Sequence, residues 1–264
     1  MKVGVGLPVT TPGVTGQRLL AWARAAEEAG FASLAAIDRI VWPGFEPLTA
    51  LAGAAAVTSR VGLRTNVLLA PTRRPALLAK QATTVDRLSG GRLMLGLGVG
   101  RRTDDYAAVG ATFRDRGRRL DRDLGVLRTS GIPLLFGGSL EVALPRILAS
   151  GEGWTVAVRP AEEVGRLAAE LRDAWDAAGR EGRAYVMAMH YFALGADSSV
   201  DYLYEYYGYL GDRARTIAEG AIRSAGQAAE SVAAFTEAGV DEYVLVPTMA
   251  TLEQLDRLAA AVVR

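Results

Sequence analysis

Short apolar runs alternate along the chain with longer stretches whose apolar positions recur every three or four residues. The first pattern has the period of a buried strand and the second that of an amphipathic helix. Strands are predicted at Lys2–Leu7, Ser33–Ile37, Val61–Val67, Leu93–Gly98, Ile132–Phe136, Gly153–Val158, Ala184–Leu194 and Glu242–Val246. Helices are predicted at Gly16–Gly30, Pro47–Thr58, Pro75–Ser89, Asp115–Thr129, Leu140–Ser150, Ala161–Gly179, Gln227–Ala238 and Leu252–Val263. Leu19, Leu20, Ala23 and Ala26 form the inner face of the first helix, and Gly30 is its stop. Leu77, Leu78, Ala82, Val85 and Leu88 do so for the third, which runs out at Gly90-Gly91. Leu255, Leu258 and Val262 point inward from the last.

Eight strand–helix units follow one another without a linker, a low-complexity tract or a break in composition. Eight parallel strands close a barrel in about 250 residues, and this chain has 264. The fold class is therefore α/β, a single (β/α)8 barrel over residues 1–264, with shortened insertions. The stretch LGLGVGRR (Leu95–Arg102) nearly spells the dinucleotide fingerprint, but position 101, where the third glycine belongs, is Arg101. It also follows the fourth strand, where a Rossmann unit would place it after the first. Its glycines end a barrel strand, on the face where barrel enzymes hold their sites. Arg101 and Arg102 follow on the rim, either as anion contacts or, the simpler reading, as solvated charges.

Composition narrows the chemistry. There is no cysteine, one histidine (His190), and lysine only at Lys2 and Lys80. Disulfides, thiolate catalysis and multi-histidine metal sites are excluded, and Schiff-base chemistry has almost no candidates. A net charge of +1 points to no polyanionic partner such as nucleic acid. No run of apolar residues is long enough for a membrane span. The start MKVGVGLPVTTPG reads as strand and turn, so the expected location is cytoplasmic.

The predicted strand ends carry Asp38-Arg39, Asn66-Val67, Gly98-Val99-Gly100, Gly137-Gly138-Ser139 and, near the end of the seventh, His190. Paired carboxylates for glycoside hydrolysis and His/Asp/Glu clusters for a metal are absent from this set. A mouth rich in glycine and poor in reactive groups suits a bound cofactor that carries the chemistry. Gly137, Gly138 and Ser139 lie between a strand and a helix, so they form either a phosphate-binding helix start or a tight turn with Ser139 as N-cap. His190 is either an acid–base group at the mouth or a histidine facing the core or the helix layer. The segment Asp201–Gly211 holds five of the nine tyrosines. Tyr202, Tyr206 and Tyr209 could share a helical face, lining the pocket as a lid or packing the insert onto the barrel or a second subunit. The helix Pro47–Thr58, apolar nearly all round, is expected to be covered twice and so to form a homodimer contact.

The chain resembles the bacterial luciferase-like superfamily of flavin-dependent monooxygenases and F420-dependent oxidoreductases. The resemblance spans nearly the whole length. It lies in AEEAGFASLAAID (Ala26–Asp38) and, most strongly, TNVLLAPTRRPALLAKQATTVDRLSGGRLMLGLGVG (Thr65–Gly100). It continues in DDYAAVGATFRDRGRRLD (Asp104–Asp121), IPLLFGGS (Ile132–Ser139), ASGEGW (Ala149–Trp154) and FTEAGVDEYVLVP (Phe235–Pro247). It implies a (β/α)8 barrel, FMN or coenzyme F420 at the C-terminal mouth, and hydride transfer or oxygenation of a small organic substrate. It further implies a bulged non-prolyl cis peptide at Asn66-Val67, room beside the flavin at Gly98 and Gly100, and phosphate contacts at Gly137, Gly138 and Ser139. Homodimers also suit the family.

Three positions depart from the family pattern. Arg39 stands where many members have histidine, Arg122 where a glutamate is common, and GEGW replaces Gly-Asp-Gly-Trp. Arg39 stays protonated and cannot act as a base; it either pairs with Asp38 or meets an anionic substrate or cofactor tail. The candidate catalytic side chains are thus Asp38, Arg39 and His190. The expected function is a flavin-type oxidoreductase or monooxygenase. The alternatives are a non-catalytic flavin- or ligand-binding barrel that has lost the histidine, and a phosphate-substrate barrel without flavin.

Overall fold

The structure is a computed structural model that describes residues 1–195 and 199–263. Strands β1 (Lys2–Gly6), β2 (Ser33–Ala36), β3 (Gly62–Leu69), β4 (Leu93–Gly98), β5 (Leu134–Gly137), β6 (Gly153–Ala157), β7 (Tyr185–Phe192) and β8 (Glu242–Pro247) pair in chain order. All pairings are parallel, and β8 closes on β1. The outer layer is α1 (Gly16–Glu28), α2 (Pro47–Val57), α3 (Pro75–Ser89), α4 (Thr103–Ala108), α5 (Arg116–Arg128), α6 (Leu140–Ser150), α7 (Ala161–Ala177), α8 (Asp201–Tyr206), α9 (Asp212–Glu219), α10 (Ala225–Glu237) and α11 (Leu252–Val262). The eight-unit barrel expected from the hydrophobic pattern is the architecture present. Among the described residues no helix is long and apolar enough to cross a membrane.

Strand alternation sorts the side chains. At the N-terminal end of the barrel a polar plug fills the interior. The buried Glu242 carboxylate accepts from Ser33 Oγ, from Arg64 Nε at 3.3 Å and from Tyr185 Oη at 2.6 Å. A buried carboxylate is tolerated when it is paired and hydrogen-bonded in this way. Leu34, Leu63 and Tyr243 alternate with these residues and are fully buried.

Local signals place the helices. Thr15 and Thr251 accept from backbone N–H groups as N-caps of α1 and α11. Gly90, at φ 69°, ends α3 in the left-handed conformation. The turn after α2 is held by Glu27, whose carboxylate accepts the backbone N–H groups of Ser59, Arg60 and Val61 at 2.6–3.0 Å. Burial opposes ionisation of Glu27, but these hydrogen bonds outweigh it and hold its pKa at about 2.

Two patterns come out differently. Leu77 and Leu88, predicted on the buried face of α3, are 58% and 61% exposed, while Leu78, Ala82 and Val85 are buried. A helix wrapped on a barrel buries one stripe, and the two leucines lie beyond its edge. The Tyr-rich segment is not one helix. It turns from α8 into a 3-10 turn at Gly208–Leu210, so Tyr206 is buried and Tyr209 is 47% exposed.

Candidate active site at the barrel mouth

The mouth is shaped by an irregularity in β3. The pairing of β3 with β4 shifts register between Thr65 and Leu68, and the Asn66-Val67 peptide is cis, as the resemblance implied. The bulge turns both side chains inward. Asn66 Oδ1 accepts from Thr155 Oγ1 on β6 at 2.8 Å, across the barrel, and the buried Asn66 Nδ2 has no partner among the described residues.

Val67 corrects the expectation for the glycines. A Cβ on Gly98 would lie 2.5 Å from Val67 Cγ2, and one on Gly137 would lie 2.8 Å from Val67 Cγ1. The space these glycines leave is thus filled by Val67, and the bulge itself becomes the floor of the mouth. Gly100 sits at φ 67°, with Leu69 packed where its Cβ would be.

Two strands along the barrel, Gly137, Gly138 and Ser139 lead from β5 into α6. Gly138 has φ 114°, and nothing lies within 4 Å of where its Cβ would be. Its carbonyl accepts from Trp154 Nε1 at 3.0 Å. Ser139 occupies the N-cap position, but its side chain makes no capping hydrogen bond. The turn is therefore open at its surface, with the first N–H groups of an eleven-residue helix behind it.

Asp38 and Arg39 are both tied down, but not to each other. Buried Asp38 accepts the Leu69 N–H at 2.8 Å and both guanidinium nitrogens of Arg73, at 2.5 and 3.2 Å. Arg73 reaches on to Glu46 at 2.9 Å. Burial pushes the Asp38 carboxyl up against the pull of Arg73. Burial also opposes the charge on Arg73, which Asp38 and Glu46 nevertheless hold protonated. Asp38 is thus a strut joining the ends of β2 and β3. Arg39 pairs with Asp104 at 3.0 Å and Asp105 at 2.8 Å, and its Nη1 is buried without a partner. Asp105 also accepts the N–H groups of Ile40 and Val41. Sequence reasoning missed Arg73 and Asp105, since both lie far along the chain from the residues they hold.

His190 does not reach the mouth. It lies on the outer face of β7, against Phe235 of α10 and Tyr243 of β8, at ring-centroid distances of 5.3 and 5.8 Å. Burial lowers its pKa to about 4. This placement removes it from the catalytic candidates. Its neighbour Tyr191 points the other way, as alternation requires, and shares a 2.8 Å hydrogen bond with Tyr207 Oη.

The Tyr-rich segment roofs the mouth. Tyr206 packs edge-on against Trp42 at 5.0 Å, and Tyr202 lies 6.4 Å from the same indole. The Arg102 guanidinium lies over the rings of Tyr206 and Tyr209, at 4.5 and 4.1 Å, and donates to the Tyr206 carbonyl. Arg102, read from the sequence as a solvated charge, is instead a cation–π anchor for the roof.

The architecture is a closed parallel barrel with a bulged third strand, an open glycine turn into a helix and few reactive side chains at its mouth. Comparison with known proteins sharpens the class: residues 1–129 match the model of the luciferase-like monooxygenase family. The family read from the sequence is the one this match returns. An uncharacterised protein of Mycobacterium tuberculosis is 29% identical over 206 residues, covering 60% of this chain and 71% of that one. The structure of an F420-dependent secondary alcohol dehydrogenase, in complex with an F420-acetone adduct, superposes with a TM-score of 0.83 at 15% identity, covering 99% of this chain and 98% of that one. A monooxygenase from Streptomyces bottropensis superposes with a TM-score of 0.77 at 18% identity, with the same coverages.

Proposed function

We propose that the chain is a flavin-type oxidoreductase, with FMN or coenzyme F420 bound across the C-terminal mouth and a small organic substrate above it. The observation that carries this reading is the pair of unmet groups at the mouth. One is the buried, unpartnered Asn66 Nδ2 on the bulge, and the other is the open Gly138-Ser139 turn at the start of α6. An unpaired buried amide is costly and suits a heteroaromatic acceptor. A bare helix start suits a phosphate. When bound, the cofactor supplies hydride or oxygen chemistry, and the chain positions and shields it. The family match and the two superposed structures support the same class.

Within this reading Val67 is the floor and Arg39 Nη1 meets an acceptor on substrate or cofactor. Tyr191 and Tyr207 present phenol O–H groups that hydrogen-bond substrate. Burial raises both phenols, Tyr207 to about 12, which keeps them neutral donors and makes them weaker acids than free tyrosine. Titrating the purified protein with FMN and F420, oxidised and reduced, and following absorbance and fluorescence, tests the proposal. Saturable binding of one of them is expected; binding of neither overturns it. Tyr207→Phe is expected to lower turnover of the bound cofactor by about tenfold, on the scale of one lost hydrogen bond, with the cofactor Kd unchanged.

The proposal includes a homodimer through α2. That helix packs between α1 and α3 and leaves Thr49 and Ala56 exposed on its outer side, next to a helix that exposes Leu77 and Leu88. Light scattering at micromolar concentration is expected to give a dimer mass, and Leu77→Glu/Leu88→Glu a monomer.

A further inference from the structure

An arginine-lined cavity lies outside the mouth. A cavity of about 440 Å³ opens between the turn leaving β3 (Pro71–Arg73), the start of α3, the turn Val109–Ala111 after α4, and the side of α5. Four arginines line it, Arg73, Arg74, Arg119 and Arg122, against one carboxylate, Asp123. None of the mouth residues Asn66, Gly98, Gly137, Gly138 or Ser139 takes part in it.

Not all of this charge is spent internally. Arg73 is committed to Asp38 and Glu46. Arg119 is loosely held: its Nη2 lies 3.4 Å from both Asp115 oxygens, its Nη1 lies 3.4 Å from the Pro71 carbonyl, and its Nε is buried with no partner. Arg122 is 70% exposed and pairs with the neighbouring Asp123, at 2.9 Å. Arg74 is exposed at the N-cap of α3, a fifteen-residue helix whose positive end faces the same space. Arg122 also occupies the position where the family resemblance leads one to expect glutamate, so the charge at the rim is reversed in this chain.

We infer that this cavity binds a phosphate or diphosphate group carried on a small molecule. A phosphoryl dianion matches guanidinium forks in charge and geometry. The volume exceeds that of a bare anion, which favours a diphosphate or a nucleotide over inorganic phosphate. The site is independent of whether the mouth binds FMN or F420.

The test is calorimetric titration of the full chain with inorganic phosphate, pyrophosphate and ADP at low and moderate salt. Pyrophosphate or ADP is expected to bind, more weakly as salt rises. ADP tighter than pyrophosphate supports a nucleotide occupant; equal affinities support the diphosphate alone. Arg122→Glu and Arg74→Glu, on exposed side chains that leave the fold intact, are each expected to weaken binding about tenfold or more, with FMN and F420 titrations unchanged. Three results would overturn the inference: no binding of any of the three anions, binding indifferent to both substitutions, or one-for-one displacement of pyrophosphate by FMN.

Discussion

Gly98 and Val67 show how much rests on single atoms at the mouth. Gly98→Ala sets a methyl 2.5 Å from Val67 Cγ2. Overpacking of this kind costs about 1–3 kcal/mol, and Val67→Ala in the same chain is expected to recover most of it. Urea denaturation of the two single variants and the double completes the cycle. The strut at Asp38 gives a larger effect. Asp38→Ala leaves the Arg73 guanidinium, only 13% exposed, with Glu46 as its remaining carboxylate and frees the Leu69 N–H, and the loss is expected at about 1–3 kcal/mol. His190 gives a pH signature instead. Its pKa is lowered to about 4 in the folded chain from an ordinary 6.5. The unfolded chain therefore takes up the proton first as pH falls, and stability is lost from about pH 6.5 downward. Between pH 7 and pH 5 the group accounts for about 2 kcal/mol. His190→Phe, which keeps a ring beside Phe235 and Tyr243, is expected to flatten that part of the stability profile.

At the scale of elements, the clearest joint is the one between α1 and β3. Glu27 leaves α1 to collect three N–H groups of the Ser59–Val61 turn. Glu27→Ala is expected to cost about 1–2 kcal/mol, read as a lowered midpoint in urea. Because its pKa is depressed to about 2, this contribution is present above the ordinary carboxylate pKa and fades as pH falls toward 2. The helices themselves were legible wherever periodicity was long and caps were present, as in α1 and α3. The short α4, α8 and α9 were not, because six to eight residues carry too few turns for a period to emerge. In the Tyr-rich segment the tyrosine spacing suggested one helical face. The chain instead bends at Tyr207–Gly208, and docking onto Trp42 and Arg102 decides which rings are buried.

Over the whole molecule, the strand order sets the bulge in β3 two strands from the turn leading from β5 into α6, with Val67 packed against Gly137. Asn66 and Thr155 are 89 positions apart and share a hydrogen bond. The same strand order brings Arg39 to Asp104 and Asp105, and leaves Arg74, Arg119 and Arg122 around one cavity. On this scale the cofactor titration and the pyrophosphate titration are complementary. The first addresses the mouth and the second the outer rim, and neither substitution at the rim touches a residue of the mouth.

The sequence by itself determined the eight-fold alternation, the closed barrel and the poverty of reactive groups at the predicted strand ends, and it carried the family resemblance that implied the cis bond at Asn66-Val67. These are local in origin: periodicity, caps, glycine positions and residue types are properties of neighbours in the chain. Only the tertiary structure decided that Asp38 belongs to Arg73, that His190 faces α10, that Val67 fills the room beside Gly98, and that Arg102 holds a roof of tyrosines. Each of these depends on which face of a strand or turn meets which distant partner, and a one-residue change of register exchanges the two faces.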